Sequence, residues 1–348
     1  MSEFGSLSNS RAIILGCTSL NLTKEEKLFF RDANPLGFIL FKRNCQSPEQ
    51  VRVLIQELCE SIGRLDIPVL IDQEGGRVQR MGPPYWPNYL SAQSLVSNIA
   101  SKKMAEEAVF LNSCLIAHDL SELGINVNCS PVLDVPSANS DPIIGDRAFS
   151  KKPEDVEKFG RLVCKGYLKN GVLPVLKHIP GHGRADVDSH KKLPVVDSTL
   201  DELQKCDFMP FKKLAGMPWA MTAHVVYSAI DPEMPATQSK LIIGDFIRDE
   251  FKFNGVLITD DLSMGALSGD FRKRAEKSLA AGCDIALHCN GNLTEMKLVM
   301  EGVSNLSNIS ISRLERAEKM RKKIKKVEFP EVESARNKLE TILKKNLG

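Results

Sequence analysis

Residues 177–190 read Lys-His-Ile-Pro-Gly-His-Gly-Arg-Ala-Asp-Val-Asp-Ser-His and hold three of the chain's six histidines. A short apolar run, Val172-Leu173-Pro174-Val175-Leu176, precedes them and reads as a buried strand. Titratable groups crowded into a Gly-rich loop at a strand's end suit a reaction centre. Asp188 and His190 stand two apart, so in an extended loop both side chains point the same way. A carboxylate bonded to one imidazole nitrogen fixes the tautomer and raises the ring's basicity, leaving the other nitrogen to exchange a proton. The plain alternative is a pair of solvated loop residues. Further on, Asp260 ends the apolar run Gly255-Val256-Leu257-Ile258-Thr259, a setting that suits a carboxylate nucleophile. A carboxylate nucleophile with a separate proton donor is the minimal equipment of a retaining glycosidase.

Other chemistries are weighed on the same residues. His178 and His182 have the spacing of a helical zinc pair, but Pro180, Gly181 and Gly183 exclude a helix there. A loop-borne metal site using His178, His182, Asp188 and His190 is the runner-up; the expectation is no metal and no cofactor. No H-E-x-x-H, G-x-S-x-G, phosphate loop or dinucleotide fingerprint occurs.

Charged residues recur where apolar runs end. Asp72 is followed by Gln73-Glu74-Gly75-Gly76-Arg77-Val78-Gln79-Arg80, and an acid with arginines in a double-glycine loop suits hydroxyl groups of a ligand. Arg147 has a weaker case, since Asp146 or Asp141 could be its partner, and Glu74 reads as structural. Lys177-His178, His224, Asp260-Asp261 and His288 close four more runs. His224 and His288 read equally as satisfied rim histidines, with His288 the plainer case. Tyr85, Trp86 and Tyr89 either stack on a sugar or plug the edge of the fold.

The elements that must position these groups alternate along the chain. Strand-like runs fall at 12–17, 37–41, 68–72, 127–134, 172–178, 219–226, 255–260 and 283–288. Helical spacing of apolar residues falls at 23–32, 48–62, 104–123, 153–168, 200–214, 240–251, 271–281 and 293–303. Ser47 with Pro48 starts the second of these and Gly124 ends the third. Eight such units without a linker predict a single-domain α/β fold, a (β/α)8 TIM-type barrel over 1–305, rather than two open sheets. In such a barrel the loops after the strands' carboxyl ends carry the site. Residues 306–348 predict a helical extension on the barrel's outside, with helices at 309–326 and 334–347 parted by Pro330. The lysine-rich run 319–326 is interleaved with acids just before it and reads as a solvated face.

A net charge of +2 gives no electrostatic reason for a nucleic-acid partner. No apolar run approaches the roughly 18 residues of a membrane span, and the brief run 12–15 is too short for a signal peptide. Ile14-Leu15-Gly16-Cys17 faintly suggests a lipoprotein site but reads as the first strand. Nine scattered cysteines without a C-x-x-C pair argue against disulfides and thiolate zinc. A cytoplasmic monomer with no nucleic-acid or membrane partner is expected.

At this point the motifs converge on a family. Lys-His-Ile-Pro-Gly-His-Gly with Asp188-Ser189-His190, and Ile258-Thr259-Asp260-Asp261-Leu262-Ser263-Met264, resemble the β-N-acetylglucosaminidases of glycoside hydrolase family 3. The segment 72–80 and Gly145-Asp146-Arg147 look like the same family's sugar-binding elements, and the resemblance runs to about residue 305. Family members carry Phe where this chain has Ile179, a conservative apolar exchange. The resemblance implies that Asp260 is the nucleophile and that His190 is the acid/base, oriented by Asp188. It implies that Asp72, Arg80, Arg147, Lys177 and His178 hold the N-acetylglucosamine ring. It further implies a small-molecule substrate, an N-acetylglucosaminide of the anhydro-muropeptide type, cleaved in the cytoplasm during cell-wall recycling. A phosphorylase using the same site, a metal-dependent hydrolase and a silent sugar-binding protein remain as alternatives.

Overall fold

The structure is a computed structural model and describes residues 7–137, 141–323 and 329–345. Eight strands form a closed parallel barrel: β1 (Arg11–Gly16), β2 (Pro35–Leu40), β3 (Val69–Ile71), β4 (Val127–Asn128), β5 (Leu173–Ile179), β7 (Trp219–Thr222), β9 (Val256–Asp261) and β10 (Ile285–His288). They follow one another round the barrel in chain order, and β1 closes on β10 with Ile13 opposite Ala286. The other two strands, β6 (Val195–Val196) and β8 (Val226–Tyr227), pair with each other outside it. Helices α1 (Lys24–Ala33), α2 (Pro48–Ile62), α3 (Ala92–Ser97), α4 (Lys102–Ser121), α5 (Pro153–Lys169), α6 (Leu200–Lys205), α7 (Met209–Lys213), α8 (Phe271–Ala281) and α9 (Leu293–Glu301) alternate with the strands. This is the (β/α)8 barrel.

Local chemistry sets the element ends. Ser47 accepts the N–H of Gln50 with Pro48 in the first turn, and Gly63 ends α2 in the left-handed region, where only glycine sits without strain. Parallel strands wrapped by helices are buried on both faces, which is why β2 and β5 are buried at every residue.

Several expected boundaries shift. The run 127–134 is regular strand only at Val127–Asn128; Pro131 has no N–H to donate, and pairing with β5 resumes as a bridge between Val132 and Lys177, with Leu133 N–H on the Lys177 carbonyl at 2.7 Å. The run 219–226 leaves the barrel after Thr222 to form β8. The single helix expected over 200–214 is two, with Pro210 opening the second. Residues Ile242–Glu250 form a π-helix, in which the Phe251 N–H reaches back five residues to Phe246. Helix α3 was not expected. Beyond the barrel, α10 (Asn308–Lys322) is followed by α11 (Phe329–Lys344), which packs on α4 with Arg336 facing Asp119 and Lys338 paired with Glu107. Pro330 therefore lies inside the first turn of α11, where a missing N–H costs nothing, and not between two helices. The ends expected at 326 and 347 lie outside the described residues.

Candidate active site

The carboxyl ends of the strands open on a cleft of about 260 Å³ lined by Asp72, Arg80, Arg147, Lys177, His178, His190 and Asp260. Of the eight residues to which the family resemblance gives catalytic or sugar-holding roles, Asp188 alone stands behind this lining, against His190.

The floor is a buried ionic lattice. Lys177 Nζ lies 2.8 Å from Asp72 Oδ1 and 2.6 Å from Glu74 Oε1. Arg80 closes the other side of Asp72 at 3.1 Å, and Arg147 grips Glu74 through Nε and Nη2 at 2.9 and 2.8 Å. Burial opposes the charges on Asp72 and Glu74, but the facing cations outweigh it. Both carboxyls sit below their usual range, Glu74 at about 2. Arg147 therefore pairs with neither Asp146 nor Asp141. Asp146 takes Arg77, and Asp141 accepts the N–H of Ile143. Glu74 is structural in that it sets the position of two cations lining the cleft.

Two residues missed by sequence reasoning hold this lattice in place. Asn128 accepts the N–H of Gln73 and donates to its carbonyl, fixing the main chain between Asp72 and Glu74. The Gln73 amide oxygen accepts the N–H groups of Arg80 and Met81, so one side chain ties the Arg80 end of the loop to the strand. The consecutive Asp72-Gln73-Glu74 at a strand end was the signal available. Arg80 lies 5.0 Å over the Phe41 ring, and its buried Nε has no partner in the protein.

Asp134 is the third omission. Its carboxylate accepts the ring Nδ1–H of His178 at 2.7 Å and the N–H groups of His178 and His182 at 3.1 and 2.7 Å. Burial works against this charge, but His178 prevails and the carboxyl falls to about 2. With Nδ1 engaged, His178 turns Nε2 to the cleft.

Asp260 ends β9 beside the floor. Burial raises its proton affinity, but the groups facing it, His178 foremost, outweigh burial and leave the carboxyl below its usual range and ionised. One oxygen accepts the Asp261 N–H at 2.8 Å. The neighbouring Asp261 carboxylate is engaged with the Ser263 hydroxyl and the N–H groups of Ser263 and Cys289. Asp261 is thus held by three donors, whereas Asp260 accepts a single main-chain N–H.

Across the cleft, His190 Nδ1 lies 2.9 Å from Asp188 Oδ1, which also accepts the His190 N–H. Burial of Asp188 is outweighed by these bonds, and its carboxyl is lowered. The His190 side chain is 59% exposed, so Nε2 is accessible for proton exchange. The loop is tethered to the segment after Asp260: Gly265 N–H donates to the His190 carbonyl and Ala266 N–H to that of Ser189. Ser189 Oγ meets His182 Nε2 at 3.0 Å. Gly183 packs so closely on Val135 that a Cβ would lie 2.1 Å from its carbonyl oxygen, so its smallness serves close approach.

Among the described residues, no three His, Cys, Asp or Glu side chains gather as metal ligands: His178 is engaged by Asp134, His182 by Ser189, and Asp188 and His190 by each other. His288 is buried away from the cleft, edge-on to Phe271 and 3.8 Å from Glu295, with neither ring nitrogen hydrogen-bonded. Trp86 and Tyr89 are buried, Tyr89 bonded to Asp119, and none of the three aromatics lines the cleft. Trp86 and Tyr89 plug the barrel's edge, whereas Tyr85 is exposed.

Sequence and structure comparisons agree with this geometry. A family model described as the glycosyl hydrolase family 3 N-terminal domain matches residues 14–327, and the barrel is that of a glycoside hydrolase. The β-hexosaminidase of Alkalilimnicola ehrlichii is 37% identical over 80% of this chain and 80% of its own length. That of Pseudomonas aeruginosa is 37% identical over 77% and 79%. The structure of NagZ from Neisseria gonorrhoeae in complex with N-trifluoroacetyl-D-glucosamine superposes with a TM-score of 0.83 at 30% identity, covering 96% of this chain and 98% of that one. The chain belongs to glycoside hydrolase family 3. Among the described residues no helix is long and apolar enough to cross a membrane.

Proposed function

We propose that the protein is a retaining exo-β-N-acetylglucosaminidase that releases terminal β-linked N-acetylglucosamine. The observation that carries this reading is one cleft with an ionised Asp260 on its strand wall, the Asp188–His190 pair on its loop wall and the charged lattice as its floor.

The chemistry follows from the geometry. Asp72, Arg80, Arg147, Lys177 and His178 hold the sugar hydroxyls and amide, with the partnerless Arg80 Nε as one waiting donor. The Asp260 carboxylate forms a bond to the anomeric carbon as the glycosidic bond breaks, and His190 Nε2 gives its proton to the departing oxygen. Asp188 stabilises the imidazolium before that transfer. Water then gives its proton to His190 and attacks the same carbon, displacing Asp260 and restoring the β configuration. Two inversions return the original stereochemistry.

The β-hexosaminidase relatives support the N-acetylglucosamine specificity. We place the reaction in the cytoplasm, on anhydro-muropeptides during cell-wall recycling, by a monomer whose residues 306–348 form an extension to the 1–305 barrel. The test uses an aryl β-N-acetylglucosaminide in phosphate buffer, with the first-formed product read by proton NMR. Free sugar of β configuration is expected. An α product refutes retention, sugar 1-phosphate makes the protein a phosphorylase, and no turnover leaves it a sugar-binding protein.

A further inference from the structure

His224 follows β7 and reaches the nucleophile's strand from outside the cleft lining. Its ring is fully buried, with Nε2 3.0 Å from the Asp261 carbonyl oxygen and Nδ1 2.7 Å from Thr237 Oγ1. A carbonyl only accepts, so Nε2 carries the hydrogen. Burial lowers the ring's proton affinity and outweighs the opposing pull of Asp260 and Asp261, with His178 acting in the same direction as burial. The ring is therefore neutral and Nδ1 is a lone pair, to which the Thr237 hydroxyl donates while sharing its one hydrogen with the Ala223 carbonyl 3.0 Å away. Thr222 Oγ1, 2.8 Å from Thr237 Oγ1, supplies the next donor. A single polarised chain runs from Thr222 through Thr237 and His224 to the Asp261 carbonyl.

The location of that carbonyl gives the chain its use. β7 pairs with β9 only as far as Met221 opposite Ile258, so Asp261 lies beyond the ladder on that side. His224 supplies a bond on the side where the ladder has ended, beside the Met264 N–H that the same carbonyl accepts at 3.1 Å. On the other side the Asp261 carboxylate is held by the N–H groups of Ser263 and Cys289. Asp261 is thus clamped twice, and its own N–H is the donor that fixes Asp260 Oδ1.

We propose that His224, with Thr237 behind it, is a positioning residue for the nucleophile. It fixes the Asp261 main chain so that one Asp260 oxygen is held by the Asp261 N–H and the other faces the anomeric carbon. The inference rests on Asp260 being the nucleophile.

The experiment measures kcat and KM for an aryl β-N-acetylglucosaminide, and inhibition by N-acetylglucosamine, in His224→Leu, His224→Gln, Thr237→Val and Asp260→Ala. His224→Leu is expected to lower kcat about 100-fold while KM and the inhibition constant stay within about twofold, because a small misplacement of a reacting group costs that much. The Gln side chain places an N–H where Nε2 stood, so His224→Gln recovers most of the loss. Thr237→Val, which frees the tautomer, lowers kcat about 10-fold. Wild-type kcat in His224→Leu, or Gln no better than Leu, overturns the inference. Should His224→Leu fail to fold, unaltered kcat in Thr237→Val overturns it and the expected drop with Gln rescue supports it. Turnover retained in Asp260→Ala refutes the nucleophile assignment itself, whereas an inactive Asp260→Ala beside unaffected His224 variants refutes only this inference.

Discussion

The floor of the cleft and the His190 loop are built on opposite terms. On the floor, Lys177, Glu74 and Arg147 are almost wholly withdrawn from solvent, each charge answered by at least one other at 2.6–2.9 Å. Such a lattice cannot lose a member without stranding a buried charge and titrates far from neutrality; in the function proposed above it holds the sugar in one pose. In the loop, one carboxylate and one exposed imidazole share a bond, and the imidazole's other nitrogen meets solvent. A group that must gain and lose a proton in each turnover needs that access, and a carboxylate behind it sets its direction without locking it. Recognition is built rigid and dry, and proton transfer is built at the edge. Asp260 stands between the two, buried like the floor but bonded to no cation.

That contrast can be broken in graded ways. The largest effect is expected from Asp260→Ala, which lowers kcat by about 10⁴-fold or more while the floor still binds N-acetylglucosamine; loss of binding together with turnover would join the nucleophile to the floor. Lys177→Met strands the carboxylates of Asp72 and Glu74 and is expected to cost about 3–5 kcal/mol of stability as well as substrate binding. Chemical denaturation reads it, and an unchanged midpoint would show that the lattice is not held by its charges.

A pH experiment separates the buried histidine from the exposed one. Burial pushes His182 down to about 4, and its Nδ1 is unpartnered. Because the folded value is depressed, its contribution is full above the unfolded value of about 6.5 and is lost as pH falls through 4, about 3 kcal/mol in all. Asp207, raised to about 6 by burial, has the opposite sign and favours the fold as pH falls through 6. The signal is therefore the stability difference between wild type and His182→Gln, which shrinks between pH 6.5 and 4; a pH-independent difference contradicts it. The smallest effect is Asp188→Ala. Stability changes by no more than about 0.5 kcal/mol, and kcat falls about 10- to 100-fold on substrates with poor leaving groups. Substrates with good leaving groups are slowed less, and equal slowing across the series argues against the dyad.

The barrel was legible because parallel strands under helices appear as unbroken apolar runs, and eight of them alternate with stretches of helical spacing. What was not legible is where a ladder stops. Nothing in the apolarity of 127–134 reveals that the regular strand is only Val127–Asn128, with a single bridge resuming at Val132, and apolar spacing over 240–251 fits a π-helix as well as an α-helix. At the site, the charged residues at strand ends could be named, but their partners could not. Arg147 had nearby acids at 141 and 146 and takes Glu74 instead, a choice made by the barrel's curvature across 73 residues. Asp134 and Gln73 act by bonding main-chain N–H groups of other segments, which leaves no mark in residue type or spacing. The glycines at 181 and 183 excluded a helix, but that Gly183 is a packing contact is a distinction only a neighbour such as Val135 can make.

The division of labour is tested most directly by trapping the sugar on the protein. Incubation with a fluorinated N-acetylglucosaminyl donor that reacts quickly and hydrolyses slowly should raise the protein's mass by one sugar. Peptide mapping is then expected to find the ester on Asp260, with labelling persisting, more slowly, in Asp188→Ala. A label on Asp261 or elsewhere, or turnover of the donor with no adduct at any time, would contradict the assignment.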